Sequence, residues 1–172
     1  MELKELDQKP EVIEFLLWFV KTLQGFLLLS GKNGTGKSHC ARAVHDIIAP
    51  YWFEGYEDSA IFITQADLNA RWIQDNSKFG ETFSLLKQLC SAKLLIIDDV
   101  GTREPTASFM DFLYSLSDKR YNERTKKATI ITTNLTSSEM RQMFGDAFVS
   151  RVASGKCFRF EGEDRRFKQD VF

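Results

Sequence analysis

Two kinds of apolar pattern alternate along this chain. Five short stretches are rich in apolar and β-branched residues: "FLLLS" (26–30), "AIFIT" (60–64), "KLLIIDDVG" (93–101), "ATIITTN" (128–134) and "KCFRF" (156–160). Bounded by glycine or polar residues, such runs predict buried strands. Between them the apolar residues recur at helical spacing. Pro10 opens "EVIEFLLWFVKTLQG", a predicted helix closed by Gly25. Residues 37–49 place Ala41, Val44, Ile47 and Ile48 on one face, and Pro50 ends the run. A helix with Asp67 near its start is expected to run to about Asn76, another over 80–92, and a long one over 104–124 with Phe109, Phe112, Leu113 and Leu116 on one face. "TSSEMRQMFG" and "DAFVSRVA" predict two short helices, each with a capping residue at its start. Residues 51–59 read as an aromatic-rich loop, and "EGEDRRFKQDVF" as a polar tail prone to fray. Alternation of strand and helix throughout predicts an α/β fold of three layers on a five-stranded, mainly parallel sheet.

With 172 residues and no linker, repeat or low-complexity tract, the chain reads as one domain with a real core. Net charge is −1, so no global basic excess marks a nucleic-acid binder, although local patches remain open. The three cysteines, Cys40, Cys90 and Cys157, are widely spaced and form no CxxC pair. That argues against a disulfide framework or a zinc site and fits a reducing cytoplasm. The run "FLLWFV" (15–20) is too short to span a bilayer, and the mixed, net-acidic start does not resemble a signal peptide. Membrane association is not expected. The run is read as a buried helix, with a partner-binding helix as the alternative.

The candidate chemistry lies in "GKNGTGKSH", Gly31 to His39, directly after the first expected strand and at the start of a helix. Gly31-x4-Gly36-Lys37-Ser38 has the spacing and context of a phosphate-binding P-loop. Glycines let the backbone wrap close to phosphate oxygens, and the N–H groups from Asn33 to Ser38, including those of Gly34 and Thr35, would form an anion nest at a helix N-terminus. Lys37 would reach the β- and γ-phosphates, and Ser38 would ligate Mg2+. "LLIIDD" supplies the matching acids. A carboxylate ending a buried strand is costly unless compensated, and a metal ion beside the loop would compensate it. Asp98 is the candidate Mg2+ partner, through water, and Asp99 the candidate to orient the attacking water. Asn134, ending "IITTN", is placed to hold that water, with Thr132 or Thr133 as alternatives.

"GKNGTGKSH", "LLIIDDVG", "DKRYNERTKKATIITTNL" and "FGDAFVSRV", in this order, resemble the AAA+ ATPases, and more narrowly the DnaC/IstB group of bacterial helicase loaders and transposition helper ATPases. The resemblance covers about residues 25–166, leaving 1–24 as an N-terminal helical segment and 167–172 as a tail. It implies ATP/ADP with Mg2+ as ligands, Gly31, Lys32, Asn33, Gly34, Thr35, Gly36, Lys37, Ser38 and His39 along the nucleotide, and Asp98 and Asp99 as the Walker B pair. It further implies Asn134 as the sensor residue and Arg151 as an arginine finger completing a neighbouring subunit's site in a nucleotide-dependent homo-oligomer. Arg166, or Arg165, stands where the family has a late arginine that reads the nucleotide in cis. The group binds single-stranded DNA, and "ADLNARWIQDNSKFG" offers Arg71, Trp72, Lys78 and Phe79 in the matching region. The basic cluster Lys119, Arg120, Arg124, Lys126 and Lys127 is a second candidate, against the plainer reading of a solvated helix end.

The implied function is an ATP-hydrolysing AAA+ protein acting on DNA, a DnaC-like replicative helicase loader, with an IstB-like transposition helper as the nearest alternative. Its partner would then be the replicative helicase or a transposase. A small-molecule kinase and a non-hydrolysing ATP-switched adaptor are the readings from other classes. Only about 24 residues precede the first expected strand, so the N-terminal domain with which loaders grip a helicase is expected to be absent or to lie outside this chain, and no more than a reduced helical lid is expected after the fifth strand.

Overall fold

Why the five apolar runs form one sheet is visible in their pairing. The computed structural model describes residues 3–77 and 82–162. Strands β1 (Gly25–Gly31), β2 (Ala60–Thr64), β3 (Leu94–Val100), β4 (Ala128–Thr133) and β5 (Lys156–Phe160) lie in the order β2-β3-β4-β1-β5. Every neighbouring pair is parallel, so the sheet expected to be mainly parallel is wholly so. The three central strands are buried on both faces, which is why they read as continuous apolar runs.

Among the described residues seven α-helices cover the sheet: α1 (Pro10–Thr22), α2 (Lys37–Ile48), α3 (Gln65–Ser77), α4 (Thr82–Ser91), α5 (Ala107–Asn122), α6 (Ser137–Phe144) and α7 (Asp146–Val152). Successive strand residues face opposite sides. Leu27, Leu29, Leu94, Ile96 and Ile130 pack with Leu16 and Phe19 of α1 and Val44 of α2. Phe26, Leu28, Leu95, Ile97 and Ile131 pack with Leu68 of α3, Leu89 of α4, Phe112 and Leu116 of α5 and Phe148 of α7. Helix α1 is therefore a core helix, with Trp18 left exposed on its outer side. A short 3-10 turn, Leu3–Glu5, precedes it and buries Leu3, an element the periodicity did not announce.

Several boundaries move for local reasons. Helix α1 ends at Leu23, which takes the left-handed conformation with φ 47° and donates its N–H to Phe19 O at 2.8 Å. Gly25, expected to close this helix, instead begins β1. Helix α3 starts at Gln65 with Asp67 in its first turn, as expected, and Thr64 Oγ1 accepts from the Asp67 N–H at 3.1 Å. Helix α5 starts later than expected, because Pro105 disfavours helix at the residue before it and Thr106 caps Phe109 N. Of the two short helices expected to carry capping side chains, only α6 has one. Thr136 and Glu139 form a capping box there, whereas α7 follows Gly145 with no side-chain cap.

Candidate functional site

The P-loop, the acidic pair and Asn134 gather at the carboxyl ends of three adjacent strands, β3, β4 and β1, the usual ligand crevice of an open α/β sheet. The loop from β1 into α2 is shaped by its glycines. Gly31 has φ 138°, and a Cβ there would lie 2.1 Å from Phe160 O of β5. The first glycine is thus required by the close approach of the edge strand as much as by the loop. Gly34 and Gly36 take φ 71° and 97°, bending the chain into the first turn of α2. Thr35 is buried, and its hydroxyl donates to Lys32 O at 2.8 Å, tying the loop across itself.

Lys37 is 4% exposed. Its Nζ donates to Gly31 O and Lys32 O, both at 2.7 Å. The ammonium is thereby held over the loop by carbonyl dipoles, which an incoming phosphate would exchange for charge-assisted bonds. A cleft of about 490 Å³ opens beside it, lined by Asn33, Gly34, Gly36, Lys37, Ser38, His39, Asp99 and Asn134, together with Glu5, Asp7 and Gln8.

The acidic pair divides into two roles. Asp98 is 6% exposed and accepts from Thr132 Oγ1 at 2.5 Å. Asp99 sits on the cleft wall with φ 55°, a torsion uncommon outside glycine. The β3–β4 register shifts between Ile97 and Val100, so the pair occupies a bulge, and bulges re-aim side chains. Thr132 holds this bulge twice, since its Oγ1 also accepts from Asp99 N at 2.9 Å. Thr133, fully buried, donates to Val100 O at 2.6 Å. The two threonines considered as alternatives to Asn134 therefore support the acids from behind.

Asn134 follows β4 and reaches the same cleft. Its Oδ1 is buried and has no hydrogen-bond partner among the described residues. Such an atom costs free energy unless a ligand or water satisfies it, which fits a nucleotide with its metal in this cleft.

A family model described as IstB-like ATP binding protein matches residues 4–153. The chain belongs to the IstB-like ATP-binding protein family. The YdaV protein of Escherichia coli K12 is 29% identical over 143 residues, covering 80% of this chain and 53% of that protein. The replicative helicase loader DnaC of Buchnera aphidicola from Acyrthosiphon pisum is 26% identical over 147 residues, covering 84% and 56%. This IstB-like chain thus spans about half the length of the curated relatives it matches. A structure of the replication initiator DnaA bound to AMPPCP and single-stranded DNA superposes with a TM-score of 0.78 at 20% identity, covering 96% of this chain and 51% of that one. That likeness makes the fold a P-loop AAA+ fold, and nucleotide binding is the property the family name carries.

The remaining candidates of this IstB-like chain lie elsewhere. Arg151 on α7 does not line its own cleft. It pairs with Asp118 of α5 at 2.9 Å, and its guanidinium lies 4.9 Å from the centre of the Tyr114 ring. Hydrogen bonding with Tyr114 and Asp118 holds its pKa above the usual arginine value. Arg71 is exposed on α3, but the Trp72 ring packs inward, 5.6 Å from Phe109 and 6.4 Å from Phe112. Lys78, Phe79, Arg165 and Arg166 lie outside the described residues. In the basic cluster, Arg120 is 1% exposed and Lys127 pairs with Glu123 and donates to Cys90 O, so neither extends freely into solvent.

Glu5, Asp7 and Gln8 were missed by the motif reading. Gln8 Nε2 donates to Thr35 O at 3.2 Å, bringing the N-terminal segment onto the P-loop. Leu3 and Leu6, both buried, are the only sequence signal that this segment is anchored. Among the described residues no helix is long and apolar enough to cross a membrane.

Proposed function

We propose that this chain is a Mg2+-dependent AAA+ ATPase that acts on single-stranded DNA, of the DnaC-like helicase-loader kind. The observation that carries the reading is the meeting of Lys37, Asp99 and the orphaned Asn134 Oδ1 in one cleft at the carboxyl ends of β1, β3 and β4. Ser38 and Asp98 would hold the metal, which when bound neutralises phosphate charge. Lys37 would bind the terminal phosphates, and the Asn33–Ser38 amides the phosphate oxygens. Asp99 and Asn134 would orient the attacking water, the carboxylate taking its proton.

Arg151 supports an assembling enzyme. It is charged, does not line its own cleft and is held between α7 and α5 by Asp118, where a neighbour's nucleotide would have to meet it. Single-stranded DNA enters the proposal through the DnaA complex and through exposed Arg71 on α3. A helicase partner enters through the DnaC relatives. An IstB-like transposition helper would share every one of these groups.

The test is nucleotide binding and turnover in wild type, Lys37→Ala and Asp99→Asn with Mg2+. The expected outcome is no ATP binding in Lys37→Ala, and binding without turnover in Asp99→Asn. Unchanged ATP affinity in Lys37→Ala would remove the P-loop assignment. Unchanged turnover in Asp99→Asn would remove the water-activating role.

A further inference from the structure

Outside the nucleotide contacts, one buried polar side chain is fully engaged by the turn that carries Asp99. Gln65, the first residue of α3, is 4% exposed. Its Oε1 accepts from Gly101 N at 2.7 Å, and its Nε2 donates to Arg103 O at 2.9 Å. A single carboxamide thus spans residues 101–103, immediately after Asp99. The turn closes on itself as well, since Thr102 Oγ1 donates to Asp99 O at 2.6 Å. Gly101 has φ 94°, and a Cβ there would lie 2.3 Å from the Leu135 side chain, so the turn fits between Gln65 on one side and the segment after Asn134 on the other.

We infer that Gln65 is a positioning residue for the hydrolytic step, acting through the backbone of the 99–103 turn to fix the direction of the Asp99 carboxylate. This rests on the reading of Asp99 as the water-activating group. The left-handed torsion of Asp99 persists only where its surroundings over-determine it. Thr132 and Thr133 fix the strand side of the bulge, and Gln65 fixes the exit side. Without the exit clamp, the turn can relax toward ordinary torsions, and the carboxylate swings away from the water. Gln65 touches neither the cleft nor Lys37, so the clamp acts on rate and leaves nucleotide affinity alone. Because it opens α3, the same clamp ties that helix to the acid.

The experiment compares wild type, Gln65→Met and Gln65→Glu for kcat and KM with Mg-ATP, for ATP affinity, and for hydrogen exchange at the Gly101 amide. Gln65→Met keeps the volume and removes both bonds, while Gln65→Glu keeps the acceptor for Gly101. The expected result is a kcat loss of roughly 10–100-fold in Gln65→Met, as misplacement of a catalytic group by about 1 Å gives. KM and ATP affinity stay within about twofold, Gly101 exchanges faster, and Gln65→Glu falls between the two. Wild-type kcat in a Gln65→Met protein whose Gly101 amide is deprotected would overturn the inference while leaving hydrolysis intact. Loss of ATP affinity in parallel with kcat, with Gln65→Glu no better than Gln65→Met, would reduce Gln65 to a structural residue and overturn it too. A wild type that turns over no faster than Lys37→Ala would sink the hydrolytic reading itself, and the positioning role with it.

Discussion

Replacing Arg120 with methionine should unfold the protein more easily, and should do so without touching nucleotide chemistry. Arg120 is 1% exposed, and its hydrogen bonds go to neutral oxygens. Its Nε donates to Thr129 Oγ1 at 2.9 Å, its Nη1 to Leu89 O and Ala92 O at 3.1 and 2.7 Å, and its Nη2 to Ala128 O. One guanidinium therefore joins the end of α4, the start of β4 and its own helix α5. Methionine retains the packing of the stem but leaves these acceptors orphaned. At about 1–3 kcal/mol for each buried group losing its partner, the gross cost is about 4–12 kcal/mol. The opposing effect is relief of the cation's own desolvation. Burial pulls the Arg120 pKa down to about 10, which corresponds to roughly 3 kcal/mol. That leaves about 1–9 kcal/mol, and partial rehydration of the α4 carbonyls favours the middle of that range, about 4 kcal/mol. For a domain this size that is a fall of roughly 10 °C in Tm. The assay is urea unfolding followed by circular dichroism, with ATP affinity measured on the folded fraction. A loss below about 1 kcal/mol would show that the acceptors find other partners and that the clamp is dispensable. Unchanged stability with weakened DNA binding would return Arg120 to the surface basic cluster.

Two smaller perturbations separate packing from recognition on other elements. Trp72→Ala should lower stability by about 2–3 kcal/mol, because the ring fills space against Phe109 and Phe112, and unfolding curves check this. Arg71→Ala should leave stability unchanged and weaken single-stranded DNA binding, flattening the salt dependence by about 0.7 in slope, as measured by a salt titration of affinity. At the α6 N-terminus, hydrogen bonds from the Thr136 backbone and hydroxyl depress the Glu139 pKa below the usual carboxylate value. The stability this adds is present above the unfolded glutamate pKa and is lost as pH falls through the lower, folded value. Urea midpoints of wild type and Glu139→Gln between about pH 3 and 6 should therefore converge toward the acidic end.

The strands and the phosphate loop were legible because each is a local signal. "FLLLS" followed by Gly31 to Ser38 carries strand, loop and helix in one contiguous segment, and "LLIIDD" carries its acids at the strand end. What the sequence concealed joins segments far apart in the chain. Gln8 meets Thr35, and Gln65 meets Gly101 and Arg103, through single hydrogen bonds that leave no periodicity behind. Arg120 and Trp72 misled for the opposite reason. Cations and aromatics on amphipathic helices look like a binding face until the end of α4 and the start of β4 supply carbonyls for one and α5 supplies phenylalanine rings for the other. Leu23 shows the same limit at a helix end. A leucine takes the left-handed position because its side chain is buried, while the nearby glycine opens the strand.

The central claim is an ATPase completed by its neighbour, and the most direct test is ATP turnover per subunit across a range of protein concentrations, for wild type, for Arg151→Ala alone and for Arg151→Ala mixed with Lys37→Ala. The account predicts a rate per subunit that climbs with concentration. It also predicts that Arg151→Ala binds ATP but is inactive alone, and regains turnover when mixed with the wild type-finger variant Lys37→Ala. A rate independent of concentration, with Arg151→Ala fully active by itself, would contradict it.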